Sequence, residues 1–108
     1  MEIKNAVTAL SALAQEHRLE VFRLLVQAGK DGVSAGKIGE QFDTPPSTLS
    51  FHLKELKQAG LICCRRDGRT LFYSANYLSM NSLMDYLTEN CCQGDQEDCA
   101  APSSCSAD

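Results

Sequence analysis

No apolar run in the 108 residues approaches the roughly 20 needed to cross a bilayer, which excludes a transmembrane helix. The opening stretch, MEIKNAVTAL, lacks a basic n-region followed by an apolar h-region, so no secretory signal is expected. A cytoplasmic protein follows as the expectation. In that compartment thiols stay reduced, and clustered cysteines point to metal or redox chemistry more than to structural disulfides. There is no internal repeat. There is also no basic residue around Cys91, Cys92, Cys99 or Cys105, which argues against a thiol enzyme of the arsenate-reductase type or a metallochaperone built on them.

Basic residues are missing from one region in particular. Residues 85–108 contain Asp85, Glu89, Asp95, Glu97, Asp98 and Asp108 but no Lys or Arg. The formal charge of −4 is therefore a tail property, and residues 1–84 are net positive. Between Ser47 and Ser74 the basic residues Lys54, Lys57, Arg65, Arg66 and Arg69 face only Glu55 and Asp67. Local positive charge of this kind suits a polyanionic partner.

What is present is a small globular pattern. Hydrophobic residues make up 44%, enough for one core in a chain of this length. Ile3, Val7, Leu10, Leu13 and Ala14 recur at helical spacing, as do Leu19, Phe22, Leu25 and Val26. Gly29 and Asp31-Gly32 mark a turn. Ser34 is placed to cap a short helix from Ala35 to Phe42. Thr44 is expected to cap, and Pro45 to begin, a longer helix running to Ala59 and ending at Gly60. LICCRR and TLFYSA flank an Asp-Gly pair and read as a β-hairpin with a basic tip. Residues 77–89 return to helical spacing, with Leu83, Tyr86 and Leu87 on one face. From Gln93 onward the composition suggests a mobile tail.

The expected fold is mainly α with a small β-hairpin, a winged helix-turn-helix in the order α-α-α-α-β-β-α. Residues 1–90 would form the DNA-binding and dimerisation domain, and 91–108 a cysteine-containing acidic flexible tail.

Residues 47–57 form the candidate reading helix. At 100° per residue, Leu49, Leu53 and Leu56 fall within an arc of about 60° and make the core stripe. Ser47, Thr48, Ser50, Phe51 and Lys54 then face outward. Small hydroxyls permit close entry to a major groove, and Phe can touch a thymine methyl. An ordinary solvated face has the same periodicity, and the basic hairpin tips the balance towards double-stranded DNA. Arg65, Arg66 and Arg69 suit phosphates or a minor groove. His52 borders the core stripe. It is included with the DNA-facing set, although a hydrogen-bonded structural histidine explains it more simply.

The stretches ALAQEHRLEVFRLLVQAG, STLSFHLKELKQAGLI and RRDGRTLFYS together resemble the ArsR/SmtB family of winged-helix, metal-responsive repressors, over roughly residues 7–90. The resemblance implies a homodimer, joined through its first and last helices, that binds a palindromic operator and leaves it on binding an inducer. Two of the family's sensor sites do not carry over. Residues 34–42, SAGKIGEQF, contain no Cys-x-Cys, and the last helix holds Asp85 and Glu89 but no His. The tail instead resembles a subgroup of arsenical repressors with a vicinal cysteine pair just past the last helix and a third cysteine soon after. That likeness assigns Cys91, Cys92 and Cys99.

The six cysteines divide by setting. Cys63 and Cys64 lie in a predicted strand and point to opposite faces, so they read as small hydrophobes, Cys64 sharing the core face with Ile62. Cys91, Cys92, Cys99 and Cys105 have no such core to enter. A helix C-terminus and four nearby acids disfavour a low-pKa redox thiol. The same acids disfavour a four-thiolate zinc site of charge −2, whose usual paired spacing is also missing. Trivalent arsenic or antimony condenses with three neutral thiols and releases water, leaving a neutral adduct, so As(III) or Sb(III) is the expected inducer. A zinc- or cadmium-responsive repressor of the same fold is the alternative.

Overall fold

The computed structural model describes residues 1–94. The elements are α1 (Ile3–Leu13), α2 (Glu16–Ala28), β1 (Val33–Ser34), α3 (Ala35–Phe42), α4 (Pro46–Gln58), β2 (Ile62–Asp67), β3 (Thr70–Ala75) and α5 (Tyr77–Leu87). A single 3₁₀ turn, Cys91–Gly94, follows α5.

The core is shared by all five helices and the hairpin. Val21, Phe22 and Leu25 of α2, Ile38 of α3, Leu49, Leu53 and Leu56 of α4, Leu61 and Ile62, Ala75 and Leu83 are buried together. Leu56 is fully enclosed at the centre. Leu56→Ala is expected to destabilise the fold by about 2–5 kcal/mol through lost transfer energy and the cavity left behind. A lowered midpoint of urea unfolding at unchanged slope would register this.

Helix α1 departs from the sequence expectation. Its buried residues are Ala6, Ala9 and Ala12, while Ile3, Val7 and Leu10 face outward. Small side chains let α1 lie close against α2, α4 and α5. The large apolar stripe is left on the surface. Leu87, expected to share a face with Leu83, is also exposed.

The sheet has three strands rather than two, in the order β1-β3-β2, all antiparallel. The extra strand is two residues long, too short to show a period. It pairs Val33 with Tyr73 and Ser34 with Phe72. Gly32, at φ 83°, allows this approach, because a Cβ there would meet the Tyr73 carbonyl oxygen at 2.5 Å. The hairpin register pairs Asp67 with Thr70 across Gly68 and Arg69. Gly68 has φ 65°, as the first position of a type II′ turn requires.

Ser34 caps α3 as expected, its Oγ accepting from the Lys37 amide at 3.3 Å. Thr44 does not cap α4. Its hydroxyl donates to the Phe42 carbonyl, and the helix begins at Pro46, with Pro45 extended at ψ 143°. A residue preceding proline is pushed out of the helical region, so Pro46 rather than Pro45 takes the first helical position. Asn76 joins two elements: its side chain accepts from the Ser79 amide to cap α5 and donates to the Gly60 carbonyl just beyond α4. The Tyr77 hydroxyl donates to the Val26 carbonyl at 2.8 Å, closing the end of α2.

Candidate nucleic-acid interface and thiol site

Helices α3 and α4 set up the reading face. With Leu49, Leu53 and Leu56 buried, Ser47, Thr48, Ser50, Phe51 and Lys54 are all exposed. Phe51 stands 52% exposed, an apolar ring on an otherwise polar face. His52 is placed differently from the rest of its set. It is only 8% exposed, too deep to reach a base edge, and the reason is its position beside the Leu49–Leu53–Leu56 stripe.

His52 is held by α2. The Arg18 Nε donates to His52 Nδ1 at 3.2 Å, so Nδ1 is the acceptor and Nε2 carries the proton. The His17 ring stacks on His52 with centroids 6.0 Å apart and planes 8° from parallel. Burial lowers the His52 pKa below its ordinary value near 6.5, and the charges of Arg18 and His17 lower it further. The sign follows from linkage. The unfolded chain takes up this proton more readily, so the contribution to stability is full above about pH 6.5 and is lost as pH falls through the lowered value. Unfolding measured at pH 7.5 and 5.5 should show a loss of stability in acid that shrinks in His52→Asn.

The wing divides its arginines. Arg65 is bound back onto the protein. Its Nη2 donates to the Asp31 carbonyl at 3.0 Å, its Nη1 lies 4.0 Å from an Asp67 carboxylate oxygen, and its guanidinium sits 4.7 Å from the centre of the Phe72 ring. That arrangement fixes the hairpin against the loop before β1. Arg66 and Arg69 are exposed at the tip, and among the described residues neither makes an ion pair. Lys54, Arg66 and Arg69 are thus the accessible cations of the expected set.

Strand alternation separates the first cysteine pair as expected: Cys63 is exposed and Cys64 is half-buried. Cys64 lies across the strand pair from Tyr73, and burial, followed by the neighbouring Cys64 thiol, raises the Tyr73 pKa.

The second pair behaves oppositely. Helix α5 stops at Leu87, where the Thr88 hydroxyl donates to the Met84 carbonyl. The chain then reverses through Asn90 at φ 57°, the Cys91 amide donates to the Thr88 carbonyl, and Cys92 takes φ 55°. This turn brings the two sulfurs together at 3.7 Å, with Cys91 exposed and Cys92 half-buried. The thiols therefore lie beyond the last helical residue rather than within the final turn, where the dipole of α5 would act most strongly. Among the described residues, no group of three or more His, Cys, Asp or Glu gathers as a metal site. The third expected ligand, Cys99, lies outside the described residues, as does Cys105.

Several large apolar side chains remain uncovered. Ile3, Val7 and Leu10 of α1 and Leu78, Met84 and Leu87 of α5 are exposed, and a groove lined by Leu19, Phe22, Val26, Met80 and Met84 lies between α2 and α5. Among the described residues no helix is long and apolar enough to cross a membrane.

Comparison with known proteins places this geometry. Residues 13–65 match the family model described as a helix-turn-helix domain. The chain is 30% identical over 92 residues to the transcriptional activator HlyU of Vibrio cholerae, covering 85% of this chain and 82% of that protein. A solved HlyU structure from Vibrio cholerae superposes with a TM-score of 0.66 at 30% identity, over 86% of this chain and 100% of that one. The arsenical resistance operon repressor of Bacillus subtilis is 38% identical over 81 residues, 75% of this chain and 73% of that protein. The fold is also that of Mb0332 from Mycobacterium bovis, a homodimeric winged helix-turn-helix domain, at a TM-score of 0.65 and 23% identity over 86% of each chain. These relatives are regulators of transcription and not enzymes. With five α-helices and a wing on a three-stranded sheet among the described residues, and an outward-facing α4, the chain belongs to the ArsR family of winged helix-turn-helix transcriptional regulators.

Proposed function

We propose that this protein is a homodimeric repressor that binds operator DNA and is released by trivalent arsenic or antimony. The observation that carries the reading is the pair of sulfurs 3.7 Å apart on the surface, one turn beyond the end of an apolar helix. The likeness to arsenical resistance operon repressors of Bacillus subtilis and Staphylococcus aureus supports it.

In the DNA-bound form, each α4 enters a major groove through Ser47, Thr48, Ser50, Phe51 and Lys54. Arg66 and Arg69 of the wing take the flanking backbone. Half-sites lie about one helical turn apart, matching the two-fold axis of the dimer. The exposed apolar side chains of α1 and α5 supply that dimer contact, since uncovered apolar surface favours association.

The thiol pair suits a soft trivalent centre. Cys91 and Cys92 exchange two hydroxides of arsenous acid for sulfur, and Cys99 exchanges the third, with one water released per bond. The product is neutral and tolerates the acids that neighbour these cysteines in sequence, Glu89, Asp95, Glu97 and Asp98. A tetrahedral zinc thiolate cluster carries net negative charge into the same surroundings. A monomethylated arsenical has two exchangeable positions and needs only the vicinal pair. Binding draws the tail onto the end of α5, and the dimer shifts to a geometry in which the two α4 helices no longer match the half-sites. This requires the inducer to bind the DNA-free form more tightly.

Anisotropy of a labelled operator duplex tests the reading. Arsenite or antimonite should release the duplex, and zinc should not. An intact complex at saturating arsenite, with release by zinc, cadmium or an oxidant, would assign the regulator to another signal.

A further inference from the structure

The junction of α2 with α4 holds an arginine that belongs neither to the outward face of α4 nor to the wing. Arg18, in the first turn of α2, donates from Nε to His52 Nδ1 at 3.2 Å. Its guanidinium carbon lies 5.5 Å from the centre of the Phe51 ring. Phe51 in turn stands on the outward face of α4. His17 stacks on the other residue of the pair, His52, and approaches Gln15 Nε2 through Nδ1 at 3.4 Å.

Two features set this arginine apart from one that merely braces a helix pair. It is held by a neutral acceptor rather than a carboxylate, because the ion pair among the described residues is Arg65–Asp67. Its charge is therefore uncompensated. It also spends one N–H of five, so the Nη1/Nη2 edge stays open among the described residues. A guanidinium with a fixed plane and a free two-nitrogen edge is the donor arrangement that phosphates accept in bidentate fashion.

We propose that Arg18 is a DNA-backbone contact, taking a phosphodiester beside the groove that α4 enters, and that His52 is the residue that positions it. This rests on the operator-binding reading above. The charged or titratable groups acting on His52 are Arg18 and His17, both from α2. Protonation of His52 removes the Nδ1 acceptor and sets a like charge against the guanidinium, so operator affinity should hold at neutral pH and fall as pH drops below about 6.5.

The test uses the full chain and an operator duplex selected from random-sequence DNA by the unsubstituted protein. Arg18→Ala should weaken binding about ten- to a hundredfold, as expected for a charge-assisted hydrogen bond. The slope of log affinity against log salt should also fall by about 0.9 per protomer, the mark of one lost phosphate contact. His52→Leu should approach the Arg18→Ala affinity and lose its pH dependence, and His52→Asn, which keeps an acceptor, should retain most of the affinity. The double variant Arg18→Ala/His52→Leu should bind no worse than Arg18→Ala, since both act through one contact. Circular dichroism verifies that each variant folds. An Arg18→Ala protein with unchanged affinity, or with weakened binding at an unchanged salt slope, overturns the assignment. Failure of the unsubstituted protein to select any duplex overturns the operator-binding reading itself, and this inference with it.

Discussion

Cys91→Ser/Cys92→Ser should bind operator as tightly as the unsubstituted protein and fail to release it with arsenite. The unsubstituted protein should lose operator affinity by a factor of about 5–150 on saturation with arsenite, the range spanned by typical coupling free energies. In the double variant that factor should fall to about 1. On the proposed reading the adjacent thiols would act as a chelate: once one sulfur were bound, the second, 3.7 Å from it, would need no separate encounter. Serine keeps the size and polarity of the side chain but offers a hard oxygen in place of a soft sulfur. The fold should be indifferent to the change, because Cys91 is exposed and both residues lie beyond the last core residue of α5, Leu83. Retained release would remove the vicinal pair from the mechanism. Cys99→Ser is the finer probe: it should weaken the response to inorganic arsenite while sparing that to a monomethylated arsenical.

Val7→Glu/Met84→Glu should convert the protein to a monomer and lower operator affinity by about 10²–10⁴-fold. Both side chains are more than half exposed in the single chain, so neither substitution opens a cavity or clashes within it. In a dimer joined through α1 and α5 each carboxylate would be carried into an apolar contact without a partner. The cost of burying it is far larger than that of leaving it in water, so dissociation is favoured. A monomer presents one α4 and one wing to DNA and forfeits the effective concentration of the second half-site. Sedimentation velocity gives the oligomeric state, and anisotropy the affinity. A variant that remains dimeric would place the interface elsewhere on the surface.

The residues that were legible in the sequence are those whose partners are close along the chain. The Leu49–Leu53–Leu56 stripe, the Ser34 cap and the hairpin turn at Gly68 each follow from local spacing or local φ. Helix α1 shows the limit of periodicity. Its sequence carries two apolar faces, Ile3–Val7–Leu10 and Ala6–Ala9–Ala12, and spacing cannot tell which one meets this chain and which meets another. The alanines face inward because they permit close packing against α2, α4 and α5. Strand β1 is not legible in the sequence, because two residues have no alternation to read and its pairing depends on Tyr73 and Phe72, some 40 residues later.

The same distinction runs through the candidate site. The exposed hydroxyls and Lys54 of α4 follow from a helical wheel, whereas Arg18 does not, since its acceptor lies 34 residues away in sequence. Arg65 looked equivalent to Arg66 and Arg69 by charge alone. Folding ties it to Asp31 and Phe72 and leaves the other two at the tip. Cys91 and Cys92 were recognisable as residues without a core to enter. Their convergence depends on a positive φ at Cys92, which no rule for cysteine anticipates.

If metalloid binding at the tail thiols and DNA binding at α4 oppose each other as proposed, thermodynamic linkage makes that opposition measurable from the thiol side. Arsenite affinity should be determined by calorimetry on the free protein and on the protein saturated with operator duplex. Operator should weaken arsenite binding by the same factor by which arsenite weakens operator binding. An arsenite affinity that is the same with and without operator would contradict it.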